Sequence, residues 1–262
     1  VTKSTAGVEA KTHQHAFTPR IGLVYNVLSS TNLYATWIRG FEPQSVTVQS
    51  NPDAGGPFDP LKSELWEVGL KGDYLKGRLS VTAALFDLRQ RNTLYNAGVA
   101  GEPNLMVPIG EERSRGFELD IAGSLLPYWS VVASYAFNEA EITKAPTGTR
   151  DLNLQRPGTP RHSANLWTKL IIPSGALRGL GIGLGVNGVS ERLGQVGRRA
   201  HVVSYPGYAL VHAALYYKIH AVQLQLNLNN VLDKRYYISG YDRLRSFPGA
   251  PRNVNLTATY RF

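Results

Sequence analysis

Apolar and polar residues change places at nearly every step through much of this chain. Between Arg252 and Phe262, Val254, Leu256, Ala258, Tyr260 and Phe262 fall on one side of a period-two strand. Asn253, Asn255, Thr257, Thr259 and Arg261 fall on the other. The segment is as long as a tilted crossing of a bilayer core, about 9–11 residues. One such strand decides little, because a strand of a soluble sandwich alternates too. The weight rests on recurrence.

The pattern recurs in pairs. Ile21, Leu23 and Tyr25 lead across Ser29-Ser30-Thr31 to Leu33, Ala35 and Trp37. Trp66, Val68 and Leu70 lead across Leu75-Lys76-Gly77 to Leu79, Val81, Ala83 and Leu85. Phe117, Leu119 and Ile121 lead across Leu126-Pro127-Tyr128 to Trp129, Val131, Ala133, Tyr135 and Phe137. Ala164, Leu166 and Leu170 lead across Pro173-Ser174-Gly175 to Leu180, Ile182, Leu184 and Val186. Ala209, Val211, Ala213 and Leu215 lead across Lys218-Ile219 to Val222, Leu224, Leu226 and Leu228. Stretches rich in turn formers separate the pairs and predict long loops at 42–61, 92–112, 140–160, 192–207 and before the terminal strand.

Roughly eleven strands follow, with short and long connections in strict alternation. That alternation predicts an antiparallel transmembrane β-barrel, short turns periplasmic and long loops outside. Trp66, Trp129, Tyr217 and Tyr260 are expected in interfacial girdles. The uncharged ladder Gln223, Gln225, Asn227 and Asn229, and the glycines at 181, 183 and 185, suit a crowded polar interior better than a free surface. Single-chain bacterial barrels have even strand numbers, and an open edge in lipid leaves backbone groups unpaired. The chain is therefore expected to be part of a barrel, with twice eleven the count of the plugged outer-membrane transporters.

Composition adjusts this picture only slightly. No run of about 18 apolar residues predicts a membrane helix. The absence of cysteine excludes a disulfide framework and a thiolate metal site. The first residues carry no apolar signal core, so either a removed signal or a longer parent chain is expected. The formal charge of +9 invites a nucleic-acid reading. The basic residues are spread along the chain, however, without a helical stripe or zinc-finger spacing, so no nucleic-acid partner is expected.

Several segments, in order, carry a resemblance. They include Thr18-Pro19-Arg20, Gly40-Phe41-Glu42-Pro43-Gln44, Glu67-Val68-Gly69-Leu70-Lys71, Arg113-Ser114-Arg115-Gly116-Phe117-Glu118-Leu119 and Pro160-Arg161-His162. The strongest are Asn229-Asn230-Val231-Leu232-Asp233-Lys234-Arg235-Tyr236-Tyr237, and Gly249-Ala250-Pro251-Arg252 leading to Tyr260-Arg261-Phe262. The chain resembles the C-terminal half of the barrel of TonB-dependent ferric-siderophore receptors of the hydroxamate type. The resemblance implies a 22-stranded barrel closed by an N-terminal plug, whose leading segment is pulled by TonB, and energised import rather than catalysis. On that reading residues 1–262 are the C-terminal half-barrel, and the plug and TonB-contacting segment lie outside it. It also implies no cofactor beyond the transported ferric siderophore, a multi-pass outer-membrane location, contact with lipid and lipopolysaccharide, and a C-terminal signal at Tyr260 and Phe262 read by the barrel-insertion machinery. Importers of haem or cobalamin belong to the same family, and a passive porin-type channel or a soluble all-β domain is the reading outside it.

Aromatic and guanidinium groups can hold an aromatic or anionic chelate by stacking and charge. The candidates in the expected outer loops are Tyr95, Arg198, Arg199, Tyr236, Tyr237, Tyr241 and Arg243. Loop packing or contact with lipopolysaccharide phosphate would use the same residue types. Glu118 and Asp120 are expected as a lumenal pair meeting Arg115 or cations of the plug. Asn229, Asn230 and Asp233 are expected to shape the exit from a strand. His13 and His15 have a ligand-like spacing but no nearby carboxylate, and no metal site or catalytic group is expected.

Overall fold

The computed structural model describes residues 2–3, 9–10, 14–97, 99–145, 152–195, 203–242, 245–260 and 262. Eleven strands form one continuous antiparallel sheet. In chain order they are β3 (Arg20–Leu28), β4 (Thr31–Glu42), β5 (Leu61–Tyr74), β6 (Leu79–Asn96), β7 (Met106–Leu126), β8 (Trp129–Lys144), β9 (His162–Ile171), β10 (Leu180–Val189), β13 (Tyr208–Ile219), β14 (Val222–Asn229) and β17 (Asn253–Tyr260). Each strand pairs with its sequence neighbour, so the sheet is a meander. Short strands form three separate ribbons: β1 (Thr2–Lys3) with β2 (Glu9–Ala10), β11 (Arg192–Gln195) with β12 (Val203–Tyr205), and β15 (Tyr237–Asp242) with β16 (Arg245–Pro248). The link from β4 to β5 holds α1 (Val46–Gln49) and a 3-10 turn at Pro52–Ala54.

The short links at 29–30, 75–78, 127–128, 172–179 and 220–221 define one rim. Leu75 and Lys76 take positive φ there, as does His220, because turns this tight need left-handed residues. The long links lie at the opposite end.

The side-chain pattern is inverted relative to a soluble protein. Along β10 the glycines at 181, 183 and 185 are buried, whereas Ile182, Leu184 and Val186 are 41–54% exposed. The same face carries Leu23, Val68, Leu85, Leu215 and Leu256, all exposed. A continuous apolar face of this kind requires an apolar surround. Above the rim it holds register row by row: Ala35, Val68, Leu85, Phe117 and Phe137 are successive cross-strand partners. The next row, toward the long links, is Trp37, Trp66, Asp87, Arg115 and Glu139. The one after that is Arg39, Glu64, Arg89, Arg113 and Glu141. The apolar band thus spans about eight residues per strand, or roughly 20 Å once tilted, the height of an outer-membrane band. Trp129, Tyr217 and Tyr260 lie at the short-turn border and Trp66 at the far border, as expected of girdles.

Three expectations need correction. The predicted loop at 92–112 is mostly strand, since β6 and β7 stay paired out to Asn96 and Met106. Beyond the lipid both faces are wet, so the sequence loses its alternation while the backbone keeps its ladder. Tyr95 is accordingly a strand residue, paired with Val107. The loops before β13 and β17 likewise contain ribbons. Finally, Arg115 cannot meet Glu118 or Asp120, because it lies on the opposite face and pairs with Glu139 at 3.1 Å.

Candidate functional site

The long-link end and the inner face form the candidate site, and its scaffold is set by hydrogen bonds that tie loop to loop. Gln44 donates to the Asn92 carbonyl at 2.7 Å, and Asn92 donates to the Pro60 carbonyl at 2.9 Å. Asn92 has φ of 66° and lies where the β6–β7 register shifts, between Arg91 and Thr93. Inside this loop the Gln49 amide both donates to and accepts from the Phe58 backbone, and Phe58 and Ala54 make a small buried core. Arg156 reaches Glu112 at 2.8 Å, and Gly158 N–H donates to the Leu193 carbonyl at 2.7 Å. The β6–β7–β8 tips are stitched by Glu111, which meets Arg91 and Lys144, each at 3.2 Å. Burial pushes the Glu111 carboxyl up, but Lys144, Thr143 and Arg91 outweigh it and hold it below the ordinary carboxylate range.

The last two ribbons are locked together around Arg192, which is 4% exposed. Its guanidinium donates through Nη2 to the carbonyls of Tyr237 and Ile238 and lies over the rings of Tyr205 and Tyr208. Tyr205 in turn hydrogen-bonds Ser246 at 2.9 Å. Tyr237 sits 5.9 Å from Tyr205, ring to ring, and Tyr236 sits 4.5 Å from Tyr208. Gly249 lets the Tyr236 ring lie on the backbone, where a Cβ would stand 2.0 Å from the ring. Asn230 closes the base of this unit. It is 2% exposed, has φ of 50°, and bonds Lys234 in both directions and the Ala250 carbonyl. Asp233 accepts from Arg252 N–H at 2.9 Å, so the expected role of these two residues in shaping the strand exit is seen directly.

The inner wall below is polar and amide-rich. Asn165 donates to Ser134, Asn229 to Asn253, Gln225 to Asn227, and Ser114 to Asn138. Asn187 bonds Asn165 as well. The glycines of β10 form a floor for two aromatics. A Cβ on Gly183 would stand 2.7 Å from the Trp167 ring and 3.1 Å from the Tyr216 ring, and one on Gly185 would stand 2.2 Å from Trp167. Lys169 lies 4.0 Å above the Tyr216 ring. Glu118 and Asp120 line a niche of about 190 Å³ with Ser134 and Ser163.

The structure therefore brings some expected residues together and separates others. Tyr236 and Tyr237 belong to one aromatic cluster, with Tyr237 still 47% exposed. Tyr95 stands apart on β6, packed over Gly110. Tyr241 lies in β15, but its side chain is outside the described residues, as are Arg198, Arg199 and Arg243. Tyr260 ends β17, and its ring meets Phe262 edge-on at 5.0 Å. Arg192, Tyr205 and Tyr208 were not singled out from sequence; the Tyr-Pro-Gly-Tyr at 205–208 was their only signal. No group of metal-ligating side chains exists among the described residues.

Comparison with known proteins agrees with this geometry. The family model described as TonB dependent receptor-like, beta-barrel, matches residues 2–231. The metal-pseudopaline receptor CntO of Pseudomonas aeruginosa (strain UCBPP-PA14) is 34% identical over 253 residues, covering 95% of this chain and 34% of that protein. The ferrichrome outer membrane transporter/phage receptor of Escherichia coli K12 is 31% identical over 265 residues, covering 98% and 34%. The crystal structure of the siderophore receptor PiuA from Acinetobacter baumannii superposes with a TM-score of 0.80 at 25% identity, covering 93% of this chain and 35% of that one. The chain thus spans about a third of the length of the curated relatives it matches.

Proposed function

Since this chain belongs to the TonB-dependent receptor-like β-barrel family, we propose that it is the C-terminal wall of an outer-membrane receptor importing ferric siderophores. It acts as receptor and conduit rather than enzyme. The observation that carries the reading is the sheet itself: an apolar outer face of membrane height, a polar inner face, and structured loops at one end only.

Strand polarity supports the further strands this reading needs. Both edges, β3 and β17, run toward the short-turn rim. Joining them, in one copy or between two, would put parallel strands side by side. An odd number of intervening strands restores antiparallel closure, and the other half of a 22-stranded barrel supplies eleven. A passive channel made from this sheet alone lacks that closure. A plug domain that carries the TonB-contacting segment completes the machine. The chelate is the cargo, and no resident cofactor is needed.

In this scheme Tyr95, Tyr236, Tyr237, Tyr241, Arg198, Arg199 and Arg243 offer the chelate stacking and charge from the outer rim. The Arg192-centred unit holds Tyr236 and Tyr237 in place. Tyr260 and Phe262 serve the barrel-insertion machinery, and the outer wall meets lipid and lipopolysaccharide. A second cargo, a chelate of another metal, has its own support in the similarity to the metal-pseudopaline receptor.

The test is accumulation of isotopically labelled ferric siderophores by iron-starved cells with and without the intact gene. Uptake that requires both the gene and the proton-motive force supports the reading. Gene-dependent uptake of zinc or nickel chelates, but not ferric ones, selects the second cargo. Uptake indifferent to the gene with every chelate overturns both.

A further inference from the structure

The lumenal face divides into two sectors of opposite charge. β9, β10, β13, β14 and β17 contain no aspartate or glutamate on either face. Their inward positions carry mainly amides and hydroxyls, the rings of Trp167 and Tyr216, and two lysines, Lys169 and Lys218. β5 and β7 instead turn Glu67, Glu118 and Asp120 inward, and the inward Lys71 stands across β6 from Asp120.

The two lysines sit where a descending solute meets the wall last. Lys169 is two residues, and Lys218 one residue, from the short-turn end of its strand. The Tyr216 ring, 4.0 Å from its ammonium, holds Lys169 against the lumenal face. Neither lysine has a carboxylate within ion-pair distance among the described residues. Their cross-strand partners are neutral: Gln223 for Lys218, and Ser130 and Gly183 for Lys169. Gly183 also lets the Trp167 and Tyr216 rings lie close on the backbone, so the wall above the lysines projects little into the lumen. From the Tyr236–Tyr237 unit down to the rim, these five strands offer hydrogen-bond donors and positive charge, with no fixed negative charge on the way.

A chelate whose carboxylates or catecholates outweigh the charge of its metal ion is repelled by Glu67, Glu118 and Asp120 and drawn to the other side of the wall. A cationic chelate meets the reverse field. We infer that the β9–β17 sector is an anion track, down which a net-negative chelate travels, with Lys169 and Lys218 as its last contacts before the short-turn rim. The inference rests on the reading of this chain as the wall of an import receptor, and it adds the charge class of the cargo and the side of the lumen it follows.

The experiment uses the full receptor in energised, iron-starved cells and two thiol reagents of similar size, an anionic sulfonatoethyl and a cationic trimethylammonioethyl methanethiosulfonate. Reporter cysteines are placed by Gln223→Cys, opposite Lys218, and by Ala136→Cys, opposite Glu118, with the parent receptor as background. Both reporters are read in receptor that keeps wild-type heat-modifiable mobility. The ratio of anionic to cationic reaction rates should be higher at Gln223→Cys than at Ala136→Cys. A unit charge about 4 Å away in water alters each rate about fivefold, in opposite directions for the two reagents, so adding Lys218→Gln should lower the ratio at Gln223→Cys by about five- to twentyfold. Lys218→Arg should keep it. Equal ratios at the two positions, a ratio unmoved by Lys218→Gln, or no reaction at Gln223→Cys each overturn the track, since a path closed to a small sulfonate is closed to a chelate. No siderophore enters this assay, so its failure is distinct from a failure of ferric uptake. Gene-independent ferric uptake beside the expected ratios removes the ferric cargo and leaves the anion track standing.

Discussion

Leu226 offers a direct quantitative test of which face meets lipid. It sits in β14 with Leu215 and Leu256 as its partners on the neighbouring strands, near the middle of the apolar band. All three are exposed on the sheet, at 39%, 47% and 71%. Replacing Leu226 with Arg in a bilayer midplane should cost about 2–4 kcal/mol. That corresponds to a shift of about thirtyfold to nearly a thousandfold in the folding equilibrium. The adjacent Gln225 points inward and gives up one hydrogen bond, to Asn227 at 2.9 Å. Replacing it with Arg should cost only about 0.5–1.5 kcal/mol, offset in part by water in the lumen. If the outer face met water instead, Leu226→Arg would fall within about ±0.5 kcal/mol, as surface substitutions usually do. The assay is reversible denaturant unfolding of the whole receptor from lipid vesicles, comparing the two variants with the parent. Equal costs, or a larger cost at Gln225, would refute the facing assignment.

Other expectations follow from local geometry. Gly185→Ala puts a methyl group 2.2 Å from the Trp167 ring and should destabilise by about 1–3 kcal/mol, measured by the same unfolding assay. Arg192→Met removes the two bonds to the Tyr237 and Ile238 carbonyls. Hydrogen exchange should then quicken in residues 237–240 while β13 and β14 stay protected; unchanged exchange there would show that the clamp is dispensable. For Glu111 the depressed carboxyl sets the sign of a pH effect. Its network is at full strength above the ordinary carboxylate pKa, about 4.3, and is lost as pH falls through the lowered value. Exchange at the β6–β7 tips should therefore rise only in acid below about pH 4, and a rise between pH 7 and 5 would rule this carboxylate out as the cause. Deleting Phe262 should lower the fraction of receptor assembled in the outer membrane, read by heat-modifiable mobility, and wild-type assembly without it would count against a terminal signal.

How much was legible in the sequence depended on the surroundings of each segment. Within the band, lipid on one side and water on the other force a strict alternation, and the eleven strands could be read directly, down to the girdle residues Trp66 and Trp129. Past the band that constraint lapses. Tyr95 and Met106 sit in paired strands, yet the stretch 92–112 around them reads as loop because Asn92, Pro103 and Gly110 are turn formers and neither face needs to be apolar. The glycines of β10 signalled a crowded interior, and the structure shows what crowds it, the rings of Trp167 and Tyr216. The candidate binding residues were the least legible. Tyr236 and Tyr237 were visible as a pair, but their partners Tyr205, Tyr208 and Arg192 lie 28–45 residues away in sequence, and no periodicity links positions brought together by loop folding.

The most direct test of the central claim is the intact mass of the native protein, extracted with detergent from outer membranes of iron-starved cells. A wall sector of a plugged receptor predicts a single chain far heavier than the 28.8 kDa of these residues. A native mass near 28.8 kDa would contradict that account, because the described sheet, with both edges running the same way, would then have to seal itself without the strands the receptor reading requires.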